Sequence, residues 1–365
     1  MTRGYLLLAR GRVLALGLLA VMVVATGFAV PTAHAFTNPP DNPTGALNLT
    51  TSPLPISLTA KPGESVSTDI RIRNDGTATE QIKTSVLTFG ASGESGTPQL
   101  ITPTPSDTFI NWASFSPSTF SDPPNTWETV HMTIKLPKSA AFGYYYAVVF
   151  SRANQATPSG TNQANLSGAI AVLVLLDADV PGAKRSVQVV SFTADHALYE
   201  FLPASFTVRL HNDGNVHVAP IGNIFITKGG KNLALLNLNL AGGNILPNTN
   251  RVFTTAWSDG YPSYQTKVQD GKVVLDAKDN PESSLTWGTF NLSKIRFGRY
   301  TAHMVMAYND GTRDVPIEAT LEFWVVPWRL ILFVIAIPVV PSVLVYLIMR
   351  RRFRKKLLRA QRGSR

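Results

Sequence analysis

Three Asn-Asp-Gly tripeptides are the residues of this chain best placed, by type, to do chemistry: Asn74-Asp75-Gly76, Asn212-Asp213-Gly214 and Asn309-Asp310-Gly311. A carboxylate beside an amide and a glycine can offer oxygen ligands to a cation or a base to a catalytic loop. The same three residues also make tight turns, because each tolerates left-handed backbone. The flanks decide between the two. A repeated active loop keeps its neighbours, and these differ in every copy. His211 and His217 bracket the second tripeptide, where the first has Arg73 and Thr79, so a metal shared by the two imidazoles is disfavoured. The tripeptides are expected to be turns.

Other candidate chemistry is sparse. Of the six histidines, which also include His196, His34 lies in the leader, and His131 and His303 fall on polar phases of strands. Asp270, Asp276 and Asp279 are too openly spaced for a calcium loop. The stretch LPNTN, from Leu246 to Asn250, looks like a sorting signal, but lies far upstream of the terminal apolar run that such a signal must adjoin. A turn between strands is expected there. The chain has no cysteine, which removes thiol catalysis and cysteine–zinc sites. It has no nucleophile elbow, His-Glu-x-x-His, phosphate loop or dinucleotide fingerprint. No catalytic residue, metal ligand or cofactor is therefore assigned. A triad assembled only in space keeps an envelope hydrolase open as an alternative.

The two ends set the context in which these residues must sit. Residues 1–35 combine Arg3, Arg10 and Arg12 with an apolar run and Ala33-His34-Ala35, the pattern of an export signal. Near the other end the uncharged run 330–349 starts at Leu330 and ends at Met349. As a helix rising about 1.5 Å per residue it covers roughly 30 Å, a bilayer core. Trp324 and Trp328 precede it, and the tail 350–365 is basic with no acid. Positive charge stays inside, so a single pass through the plasma membrane is expected, N-terminus outside and C-terminus cytoplasmic. Of the 33 Lys and Arg, three lie in the leader and nine in the tail, leaving 21 against 23 acidic residues. The basic pI belongs to membrane topology, and no nucleic-acid partner is expected.

Between a Pro-rich lead-in (36–53) and the membrane run the pattern has period two. Val66, Ile70 and Ile72 alternate with polar neighbours, as do Val130, Met132, Ile134 and Leu136, then Phe206, Val208 and Leu210, then Leu236, Leu238 and Leu240, then Ile317, Ala319, Leu321, Phe323 and Val325. YYYAVVF and IAVLVLL are apolar throughout and are expected as central strands, with a polar Gly/Ser/Asn loop between them. DVPGAK, at 179–184, divides the region into 54–180 and 185–326. Both halves carry the same marks in order: Asn74 and Asn212 after an alternating strand, then Phe142-Gly143-Tyr144-Tyr145 and Phe297-Gly298-Arg299-Tyr300 opening a late strand. The separations differ, so this is a diverged duplication with insertions in the second copy. A glycine and tyrosine entering a late strand fit the tyrosine corner of immunoglobulin-like sandwiches. Gly143 with Tyr145 and Gly298 with Tyr300 are the expected corners. The fold class is all-β: two tandem immunoglobulin-like β-sandwich domains plus one C-terminal transmembrane helix.

The block containing Trp112, Pro117, Phe120, Leu136-Pro137 and Gly143 is similar to Ig-like modules of bacterial surface proteins. The whole layout resembles the WxL-interacting protein family, mainly through Pro62-Gly63-Glu64 and the strand and Asn74 turn that follow. That resemblance implies a first domain associated with peptidoglycan and a second holding a surface protein. The chain is expected to bind a cell-wall polymer or a surface protein partner without catalysis. A chaperone-like assembly factor for exported proteins is the other alternative.

Overall fold

A computed structural model describes residues 47–154, 168–269, 271–276 and 281–362. The leader, the lead-in as far as residue 46, most of the polar loop, Asp270 and Asp279 lie outside the described residues. The described chain forms two β-sandwiches in succession and one long helix.

The first sandwich comprises β1 (Leu49–Ser52), β2 (Ile56–Ala60), β3 (Ser65–Asn74), β4 (Glu80–Ser92), β5 (Thr97–Ile101), β6 (Ala113–Ser116), β7 (Thr119–Asp122), β8 (Trp127–Lys135), β9 (Gly143–Arg152) and β10 (Ala169–Ala178). One sheet runs β1-β3-β8-β6; the other runs β2-β10-β9-β4-β5, with β7 also on β4. The alternating strands turn one face inward: Ile70, Ile72, Val130, Met132 and Ile134 are fully buried and meet Tyr146, Val148, Phe150, Val174 and Leu176 from the facing sheet. Each such burial contributes about 1.5–3 kcal/mol, and without disulfides this core is what holds the domain.

The second sandwich repeats the plan with β11 (Val187–Ala194), β12 (Leu198–Tyr199), β13 (Ala204–Asn212), β14 (Ile221–Lys228), β15 (Lys231–Leu238), β16 (Asn250–Trp257), β21 (Gly298–Asn309) and β22 (Asp314–Val325). Its sheets are β11-β13-β16 and β12-β22-β21-β14-β15. In both sandwiches the first strand is shared between the sheets, its second part running parallel to the last strand: β2 on β10, β12 on β22. An aromatic group of Tyr199, Phe206, Trp257, Tyr300 and Phe323 fills the second core, with Trp257–Tyr300 ring centroids 5.2 Å apart. Between β16 and β21 lies an excursion with β17 (Ser263–Thr266), β18 (Val268–Gln269), β19 (Lys272–Val273) and β20 (Ser283–Thr286). It has no counterpart after β8, where only residues 136–142 intervene.

Leu240 departs from the expected alternation. β15 stops at Leu238 because Asn239 takes left-handed backbone (φ 52°) and donates its side-chain amide to Pro220 O and Gly243 O. Leu240 is left 74% exposed. The helix α1 spans Trp328–Arg362, and within it Trp328–Arg352 is long and apolar enough to cross a membrane, with none of its apolar window buried. It runs through Pro338 and Pro341, and Ser342 Oγ donates to Pro338 O at 2.7 Å.

Candidate functional site

The tripeptides divide by burial. Asn74 and Asn212 are almost wholly buried, whereas Asn309 is exposed. Asn212 Oδ1 accepts from Gly214 N (2.8 Å), and its amide donates to Val216 O (2.9 Å) and Ile245 O (2.8 Å). Asn74 repeats the set with Gly76 N (2.9 Å), Ala78 O (2.7 Å) and Asp122 O (2.9 Å). These are plugs that satisfy buried backbone. The carboxylates have separate tasks. Asp75 meets Thr50 and Arg73, which hold it below the usual carboxylate range. Asp213 faces His211 at 3.4 Å. Asp310 caps the β21–β22 hairpin through Thr312 and Arg313, which bring it down to about 2.

Left-handed backbone explains the glycine in one copy only. Gly311 has φ 105°, while Gly76 and Gly214 do not take positive φ. At Gly214 the reason is space: a Cβ would stand 2.2 Å from Lys184 O. That carbonyl belongs to the link between the sandwiches, which the turn grips through Asp213 N to Ser186 O (2.8 Å) and Asn215 N to Lys184 O (2.9 Å). In the first sandwich Asp75 N likewise donates to Asn48 O (2.9 Å), just ahead of β1. The first two tripeptides thus pin the chain entering their sandwiches.

A second repeated motif completes the device: Pro124-Asn125-Thr126 and Pro247-Asn248-Thr249. Asn125 and Asn248 are both left-handed (φ 58° and 56°), and their N–H groups donate to the carbonyls of Asn74 (2.7 Å) and Asn212 (2.9 Å). The stretch LPNTN is half of this pair, a turn leading into β16. The signal was available in the sequence as the shared Pro-Asn-Thr.

The corners need one correction. Tyr300 Oη accepts from Phe297 N at 3.0 Å, but in the first sandwich Tyr144, not Tyr145, makes the bond, accepting from Ala141 N at 2.9 Å. The left-handed residue is Gly298 (φ 108°) in one copy and Phe142 (φ 68°) in the other, so Gly143 matches Arg299 rather than Gly298. Strand alternation is the cause: Tyr144 and Tyr146 face the core, which sends Tyr145 to the outer face.

That outer face is where the two sandwiches meet. Tyr145 lies edge-on to His217 of the second sandwich (5.9 Å), and burial, reinforced by the Asp177 carboxylate, pushes its hydroxyl far above the ordinary tyrosine value. Asp177, buried at the end of β10, takes Arg185 of the link at 2.7 Å, with His217 Nδ1 3.0 Å away. His211 Nδ1 is instead 2.8 Å from Asn250 Oδ1. Among the described residues no three His, Asp or Glu side chains converge as metal ligands. A second contact comes from the β4–β5 hairpin. Glu94 receives a two-pronged bond from Arg209 and one from Asn250 Nδ2 (2.9 Å), and Glu94 O accepts from Val252 N (2.8 Å).

Beneath this hairpin lies a cleft of about 500 Å³ between the sandwiches. One wall is the outer face of the first sandwich, with Phe89, Leu100, Leu173 and Leu175; the other is the stretch from Ala241 to Arg251. Among the described residues Arg251 is the sole charged residue of the lining, and burial lowers its pKa. β10 borders the cleft with an open edge. It pairs with β9 from Ala169 to Asp177, but with β2 only from Val174 to Ala178. Among the described residues no strand covers the other side of 169–173. The apolar outer face of β9 and β10, read from sequence as a sign of central strands, reflects this cleft and the packing of Leu246 against it.

No protein-family model matches the chain, and no curated protein does. Among solved structures it is similar to the class 5 fimbriae chaperone CfaA, at 12% identity over 74% of this chain and 98% of that one, with a TM-score of 0.34. The Pseudomonas aeruginosa CupB2 chaperone gives 9% identity over 74% and 100%, with a TM-score of 0.32. The human CEP192 PapD-like domain 7 gives 14% over 41% and 97%, with a TM-score of 0.26. At such scores the function has to be argued from this chain's own residues.

Proposed function

We propose that the chain is a non-catalytic protein-binding module that holds an extended segment of a partner in the cleft between its sandwiches, by strand addition to β10. One observation carries this: among the described residues, 169–173 have backbone paired on one side only, beside an apolar lining. An unpaired edge is a template for another strand. Ala169 and Ala171 are small and share the outer face with Leu173 and Leu175, leaving room for a partner's larger side chains between alternate positions. Among the described residues Phe89 is the one aromatic ring in the lining, which suits polypeptide better than a stacked sugar. Peptidoglycan binding is accordingly the weaker half of the expectation.

In this reading both sandwiches are immunoglobulin-like, on their common strand order and tyrosine corners. α1 anchors them outside the plasma membrane, in the layout of WxL-interacting proteins. A stable grip makes the chain a surface holder; release to an assembly makes it a chaperone-like factor.

The test is a photo-crosslinking residue at Thr97, on the cleft rim, in the full chain on cells. Crosslinks mapping to one extended segment of a protein, abolished by Ala171→Arg and kept by Thr119→Arg away from the cleft, are expected. Crosslinks to glycan strands, or crosslinks indifferent to Ala171→Arg, would overturn the proposal.

A further inference from the structure

The excursion of the second sandwich, described over 258–269, 271–276 and 281–297, leaves from and returns to the pole at which the chain departs for α1. The topology requires this. β16 ends at Trp257 opposite Ala204, and β21 begins at Gly298 opposite Val325, the last residue of β22. β12 reaches the same pole, with Leu198 opposite Trp324 and Tyr199 opposite Val325. The helix starts at Trp328, tied back by Val326 N to Tyr199 O (2.7 Å) and Arg329 to Glu200 (3.4 Å). Phe297 is therefore one strand spacing, about 5 Å, across from the end of β22, whose chain enters α1 roughly 10 Å further on.

Between β20 and β21 the excursion exposes a group of apolar side chains. Trp287 (56% exposed), Phe290 (65%), Leu292 (71%) and Phe297 (52%) stand out, and Trp324 and Trp328, where the chain leaves for α1, are exposed as well. Their base is tied down. Asp259 pairs with Lys294 (2.8 Å) and Arg296 (2.7 Å), Tyr261 N donates to Lys294 O (2.9 Å), and Tyr261 packs edge-on to Trp287 and Phe290 at 6.0 and 5.5 Å. Asp259, the acid at this base, is neutralised twice. A group of exposed apolar side chains marks a docking surface, and tryptophan and phenylalanine beside a helix of membrane-spanning length suit the headgroup boundary.

We infer that the segment of this excursion around Trp287, Phe290 and Leu292 inserts into the surface of the lipid bilayer that α1 enters. The second sandwich is then tethered at two points and held at a fixed tilt, with the cleft at its far end presented away from the membrane. The inference rests on α1 spanning a membrane, and its test separates the two.

The full chain is reconstituted in phosphatidylcholine vesicles, with and without bromine on the acyl chains, and tryptophan emission is compared for wild type, Trp287→Phe and Trp328→Phe. Bromine quenching of both Trp287 and Trp328 is expected, so that each variant loses part of the quenchable emission. Because the chain has no cysteine, Thr289→Cys carrying an environment-sensitive dye gives a second reading, quenched by spin-labelled lipid. Quenching of Trp328 with Trp287 and the Thr289 dye unaffected would overturn the inference and leave the patch to a protein partner. Quenching of neither tryptophan would overturn the membrane reading of α1 and the inference together.

Discussion

The backbone N–H of Asn248 donates to the carbonyl of Asn212 at 2.9 Å, joining a left-handed turn before β16 to a buried turn after β13. The same bond joins Asn125 to Asn74. In both sandwiches this contact links the two turns that close one end of the fold, one of which also holds the incoming chain.

Asn212→Ala should therefore be costly. It leaves the carbonyl of Val216 and the N–H of Gly214 without the asparagine in a buried setting, and strips Ile245 O of one of its two bonds, the other coming from Val218 N. With each orphaned group worth about 1–3 kcal/mol, a loss of about 2 kcal/mol or more is expected in urea unfolding. Asn309→Ala, at an exposed hairpin, should change stability by only about 0.5 kcal/mol. Equal losses at the two positions would contradict the plug role.

The corner assignment is tested by three single-atom deletions. Tyr144→Phe and Tyr300→Phe each remove the acceptor of a backbone N–H and should destabilise by about 1–2 kcal/mol. Tyr145→Phe removes a buried hydroxyl that has no well-aligned hydrogen bond, and should cost less than either. A larger loss at Tyr145 than at Tyr144 would restore the assignment expected from the sequence.

Asp122 gives the first sandwich a distinctive pH response. Burial, then the nearby charge of Glu128, raises its carboxyl from 3.8 to about 6. The folded state holds this proton more tightly than the unfolded chain does. Its contribution is thus fully present below pH 3.8 and lost as the pH rises through about 6. Asp122→Asn should melt higher than wild type at neutral pH, with the gap closing in acid. The second sandwich places Ile245 at the same point, where the backbone carbonyl alone serves the buried asparagine. Melting curves from pH 4 to 8 that run parallel for the two proteins would rule this out.

Glu94 ties the first sandwich to the second. Glu94→Arg places like charge against Arg209 and should widen the cleft. Spin labels at Ser92→Cys and Lys231→Cys, one in each sandwich, should show a longer and broader distance distribution in the variant. An unchanged distribution would mean that the link and the Asp177–Arg185 pair hold the sandwiches by themselves.

Much of the fold was legible in local pattern. Period-two alternation marked β3, β8, β13 and β22, because burying one face of a strand is a local demand on every second residue. The paired Asn74 and Asn212 exposed the duplication, and the length and apolarity of α1 were plain from composition. Pro-Asn-Thr was equally readable but went unused, because the two copies stand at different distances from their partners.

The tertiary structure decided the rest, for a common reason. Whether Tyr144 or Tyr145 turns inward depends on the phase of β9 against the core, which one residue of offset between the copies reverses. Why Gly214 is glycine depends on Lys184 packing over it from the link. The cleft exists because two sandwiches, each complete by the local rules, meet along a face that one of them leaves apolar, and because β2 covers only half of β10. The chain alone determined which residues form strands, turns and the apolar helix, since those follow from neighbours a few positions away. Where an unpaired strand edge faces an apolar wall was decided only by contacts between residues as far apart as Glu94 and Arg209, which no local spacing encodes.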